Sequence, residues 1–139
     1  MKWTLGWAIL LGGCGTHLAT RDAVRLRAML GLAASEVATA ADPPRLKTIA
    51  DDLASSDPAT QKLGEAECIL LETRAQELGR EVAALGPILL PGADLERTSA
   101  DLQGAVSCLA GAPLEAGRVG RTLRMGTEKV QKALAASGK

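Results

Sequence analysis

The chain has 139 residues, no net charge, one histidine and, as its only aromatic residues, two tryptophans. That length allows a single ordinary domain. A lone histidine leaves little from which to assemble a His-based triad or dyad, and two tryptophans, both within the first seven residues, give few platforms on which nucleic-acid bases stack.

The first segment in chain order is an export signal. Lys2 gives the positive start, Trp3 to Leu11 the apolar stretch, and Gly12 and Gly13 the small residues that a peptidase requires. About nine apolar residues are too few for a membrane-spanning helix, which needs roughly twenty. Leu11, Gly12, Gly13 and Cys14 resemble the lipobox of bacterial lipoproteins, in which the cysteine is lipidated and becomes the new N-terminus. The resemblance implies a signal peptide over 1–13, cleavage before Cys14 and two or three acyl chains, which suffice for a stable anchor. It also implies an outer-membrane address facing the periplasm, because Gly15 stands where an Asp would favour the inner membrane. Residues 14–18 form a short tether. The stretch Gly15 to Ala19 reaches at most about 18 Å, so the domain over 19–136 is expected close against the bilayer.

Both tryptophans leave with the signal, so the core is expected from Leu, Val, Ile, Met and many Ala. Apolar residues recur at alternating four- and three-residue spacing, the pattern of helices packed side by side. One stripe runs Ala19, Ala23, Leu26, Leu30, Ala33, Val37 and Ala40. A short second has Leu46, Ile49 and Leu53. The third, the most regular, has Gly64, Cys68, Leu71, Ala75, Leu78, Val82 and Leu85. A fourth has Leu95, Leu102, Ala105 and Leu109, and the last has Ala116, Val119, Leu123, Gly126, Val130 and Ala133. Asp42 before Pro43 and Pro44, and Asp57 before Pro58, read as helix starts with an acidic cap and Pro in the first turn. Gly86–Pro87 and Pro91–Gly92 are expected to bracket an apolar turn, Asp94 to cap the next helix, and Pro113 to open the last. The fold class is therefore all-α: an antiparallel bundle of four main helices plus one short helix, with almost no strand. Gly120 and Gly126 each weaken the last helix by about 1 kcal/mol unless they permit a close crossing.

Cys68 and Cys108 are too distant for a CxxC or zinc-knuckle motif. Their midpoint is residue 88, inside the expected turn, so an antiparallel hairpin folded there brings them opposite each other. A disulfide is reasonable in an exported protein; the alternative is two reduced core cysteines acting as small apolar residues. Charge is uneven along the chain. Asp51 to Asp101 holds eleven acidic against four basic residues, while the C-terminal part carries Arg118, Arg121, Arg124, Lys129 and Lys132. These five are candidates for contact with an anionic surface. His17 sits in the tether, and Glu65 with Glu67, like Asp51 with Asp52, are too close in sequence to share a helix face. No catalytic residues, metal ligands, cofactor or small-molecule substrate are expected, and no nucleic acid.

The expected role is a membrane-anchored, non-catalytic envelope lipoprotein whose bundle binds another envelope protein, as an adaptor or assembly factor. In architecture, size and anchor it is loosely similar to the pilotins, small helical lipoproteins that escort secretin subunits to the outer membrane. Places for a bound partner helix are the turn from Pro87 to Pro91 and any groove between the last helices. The alternative is a structural lipoprotein whose basic C-terminal face contacts anionic lipid or cell-wall polymer.

Overall fold

The computed structural model describes residues 20–108 and 112–137. The expected signal segment, Cys14, the expected tether with His17, Ala19 and Leu109 lie outside the described residues. Among the described residues five helices follow in order: α1 (Thr20–Ala40), α2 (Pro43–Leu53), α3 (Pro58–Leu89), α4 (Glu96–Gly104) and α5 (Ala116–Ser137). Among the described residues there is no strand, and no helix is long and apolar enough to cross a membrane.

The expected all-α class is what the chain adopts, with a different division of lengths. Three helices are long, of 21, 32 and 22 residues, and two are short, of 11 and 9. The fourth stripe does not give a main helix, because α4 stops at Gly104, the poorest helix former after Pro. Val106 beyond it turns into the core as irregular chain. Pro113 is exposed in the connection, and α5 starts at Ala116 instead.

The Pro-led starts of α2 and α3 stand where the sequence puts them. Their caps differ. Asp57 accepts hydrogen bonds from the Thr60 backbone N–H (3.2 Å) and hydroxyl (2.7 Å), which holds its carboxyl below the usual carboxylate range. Asp42 occupies the same position before α2 without a side-chain cap bond. Asp94 does not cap α4; Leu95 takes the cap position, and Ser99 N–H reaches the Leu95 carbonyl at 2.8 Å.

The expected break at Gly86–Pro87 is also absent. Helix α3 runs through Pro87 to Leu89, and Leu90 N–H still closes on the Gly86 carbonyl at 2.8 Å. So close to the C-terminus, Pro removes one helical hydrogen bond. Burial of Leu89 and Leu90, at 1% and 2% exposure, offsets that loss. The chain reverses after Leu90, where Ala93 N–H meets the Leu90 carbonyl at 3.0 Å.

Helix α3 is the central element, packed on α1, α2 and α4, and α5 completes the bundle against α1, α4 and α2. All seven positions of its heptad stripe are buried, with Gly79, Gly86 and Leu89 besides. In α1 the stripe drifts from Leu26 and Leu30 to Ala34, Val37 and Ala41 in place of Ala33 and Ala40. A straight 3.6-residue helix slips in this way against a 3.5-residue repeat. Helices α1 and α5 run antiparallel: Gln131 Nε2 donates to the Gly31 carbonyl (3.0 Å) and the Ser35 hydroxyl (3.1 Å), and Arg124 Nη1 donates to the Ala41 carbonyl (3.1 Å).

Candidate interaction surfaces

Cys68 is fully buried on α3, and Cys108 follows the end of α4. Their sulfurs are bonded at 2.08 Å with the Cα atoms 6.0 Å apart, inside the usual disulfide range. The antiparallel α3–α4 pair does bring them together, although the turn lies beyond Pro87. The Cys108 N–H also points at Glu72 Oε2, 3.4 Å away.

The five basic candidates on α5 divide. Arg118 pairs with Glu115 at 3.0 Å and Lys132 with Glu128 at 3.1 Å, all four side chains largely exposed. Such pairs contribute little to stability and leave the cations reachable. Arg121 and Lys129 are exposed. Arg124 is half-buried and its guanidinium is committed to the carbonyl that closes α1, so it belongs to the α1–α5 packing. A Cβ on Gly120 would stand 2.6 Å from its Nη1 and 3.0 Å from Leu46 Cδ1, so this glycine makes room for the arginine.

The acidic pairs separate as helix geometry requires. Asp51 holds Lys47 at 2.8 Å on the surface, and this raises the lysine above its ordinary value. Asp52 packs beside Gly64. Glu65 and Glu67 line different grooves. The carboxyl held upward is Glu81, which is half-buried, with Glu77 adding like charge. Among the described residues no group of three or more His, Cys, Asp and Glu side chains is arranged to hold a metal ion.

The turn after α3 is no apolar knob, since Leu89 and Leu90 face inward and Pro87 and Pro91 are the exposed residues. Exposed apolar area lies elsewhere, at residues that sequence reasoning passed over. Leu63, Ile69 and Leu70 on the N-terminal half of α3 are each more than half exposed. Leu70 lines a groove of about 370 Å³ against α2 with Arg45, Ile49, Glu67 and Arg74. Ile69 lines another, about 410 Å³, beside Leu53, Glu65, Cys108 and Leu114. Comparison with protein-family models, curated proteins and solved structures finds no match. The chemistry of these surfaces therefore carries the reading. The missed signal was legible: these apolar residues fall off the heptad stripe of their helix, where a polar side chain is the ordinary choice.

Proposed function

We propose that the chain is a membrane-anchored, non-catalytic envelope lipoprotein, lipidated on Cys14, whose bundle binds another envelope protein as an adaptor or assembly factor. The observation that carries the reading is the exposed apolar strip of Leu63, Ile69 and Leu70, with a groove on either side of α3. An amphipathic partner helix laid along such a strip buries its own apolar face in the grooves. The strip replaces the turn at Pro87 to Pro91 as the place of docking. The outer membrane, facing the periplasm, is the proposed address, and a pilotin-like escort role is one form the adaptor would take.

The test is site-specific photo-crosslinking in the native envelope from position 70, with position 121 as the control. A discrete adduct from position 70, lost in an Ile69→Asp variant that keeps its thermal transition, supports the adaptor reading. Adducts of the same kind from both positions sink it. Intact mass of the purified protein tests the anchor: cleavage before Cys14 with added acyl mass is expected, and an unmodified chain starting at Met1 overturns lipidation.

A further inference from the structure

The paired helices α1 and α5 present a second surface of different chemistry. Gly31 and Gln131 face each other across the seam, joined by a 3.0 Å hydrogen bond. One residue further along an α-helix is a rotation of about 100°. Because the helices are antiparallel, that rotation from Gly31 to Leu32 and from Gln131 to Lys132 turns both side chains to the same side of the pair. On α1 this side carries Arg21, Arg25 and Leu32, with Val24 at the edge of the seam. On α5 it carries Arg118, Arg121, Met125, Lys129 and Lys132 at three- and four-residue spacing. Val24, Leu32 and Met125 are 58%, 65% and 63% exposed. Six cations thus surround three large apolar side chains; the acidic residues of these helix faces are Glu36 and Glu128, with Asp22 at the edge of the α1 face and Glu115 just ahead of α5.

We infer that this α1–α5 face lies on the anionic phospholipid surface of the membrane that holds the protein. Charge selects the occupant, since clustered Lys and Arg around short apolar insertions fit a negatively charged headgroup layer over hydrocarbon. Chain length agrees, resting on the anchor proposed above: no more than about 18 Å of tether separates Cys14 from the start of α1, where Arg21, Val24 and Arg25 sit. The remainder of the chain is biased away, because the segment from Asp51 to Asp101 has eleven acidic and four basic residues. The face therefore orients the bundle on the membrane, and α3 with Leu63, Ile69 and Leu70 is left for a protein.

The test uses the full chain with Trp3→Leu and Trp7→Leu, which leaves no native tryptophan, and one reporter at a time, Leu32→Trp or Leu70→Trp. Each protein is placed on phosphatidylcholine vesicles, with or without phosphatidylglycerol, whose acyl chains carry bromine as a quencher. Quenching at position 32 on the mixed vesicles, not at position 70, is expected. Neutralising Arg121, Lys129 and Lys132 to Gln should abolish it while the chain stays on the vesicles. Equal quenching at both positions, or none at position 32 in a chain that floats with vesicles, overturns the inference. A chain that stays off phosphatidylcholine vesicles removes the anchor and not the face. Excess mixed vesicles must then still quench position 32, with binding about a hundredfold weaker in the triple variant, and no quenching there also overturns it.

Discussion

The tightest helix crossing gives the sharpest test of the packing. A methyl group on Gly79 would stand 2.5 Å from Gln103 Cγ, 2.8 Å from the Ser99 carbonyl oxygen and 3.1 Å from the Gln103 nitrogen. The first contact can be relieved by a side-chain rotation. The other two are backbone, so Gly79→Ala must push α4 off α3. That movement stretches the buried bond in which the Ser99 hydroxyl donates to the Gly79 carbonyl at 2.7 Å. Overpacking of this kind costs about 1–3 kcal/mol, against about 1 kcal/mol gained from the better helix propensity of Ala. A net loss of about 1–2 kcal/mol is expected once the strained hydrogen bond is included. Gly31→Ala is the matched control, because its methyl meets Leu134 Cδ1 at 3.6 Å and Gln131 Oε1 at 3.9 Å, ordinary contacts. There the propensity gain stands alone, and the variant should be about 0.5–1 kcal/mol more stable. Urea denaturation followed by far-UV circular dichroism should therefore move the two midpoints in opposite directions at unchanged slope. Two equally stabilised variants would refute the α3–α4 crossing at Gly79.

Replacing Cys68 and Cys108 by Ala removes a cross-link spanning 40 residues; the chain-entropy relation gives a loss of about 4 kcal/mol, to be read from the denaturation midpoint under oxidising conditions. Glu81→Gln should stabilise the fold slightly at neutral pH, because burial and Glu77 raise this carboxyl in the folded state. The native Glu81 contributes its full share only below the ordinary glutamate range and loses it as pH rises through the raised value, so the gain of the variant, below about 1 kcal/mol after screening, should vanish in acid. Thermal melts of both proteins across that range decide it. Arg124→Gln should lower stability by about 1 kcal/mol through its bond to the Ala41 carbonyl, whereas Arg121→Gln should stay within about 0.5 kcal/mol of the native protein.

Much of the fold was legible because helix packing writes its period into the chain. The stripe from Gly64 to Leu85 is buried at every position, and the Pro-led starts at Pro43 and Pro58 are where helices begin. Cys68 and Cys108 could be paired by counting to the middle of a hairpin. What failed was local punctuation overridden by burial. Pro87 reads as a stop, yet Leu89 and Leu90 extend α3 by seating in the core. Asp94 reads as a cap, yet Leu95 is needed inside and takes that place. The surface candidates were harder. Arg124 shares its charge and helix with Arg121, and only the approach of Ala41 shows that one is packing and the other surface.

The lack of aromatic side chains among the described residues gives weight to where large apolar ones are left exposed. Apart from Trp3 and Trp7 the chain has no aromatic residues, so its core rests on leucine, valine, alanine and close glycine crossings. A methyl on Gly126 would meet Leu102 Cδ2 at 2.7 Å, and one on Gly64 the Leu53 nitrogen at 2.8 Å, so backbones approach where bulk is missing. Single exposed apolar residues are common on any surface and need no explanation. Here Val24, Met29, Leu32, Leu63, Ile69, Leu70 and Met125 are all more than half exposed. They gather on two elements of unlike charge: the basic α1–α5 pair and the acidic α3. A stability argument alone would have moved such residues inward. Their segregation by charge fits the two occupants proposed above, a lipid surface on one side and a protein on the other.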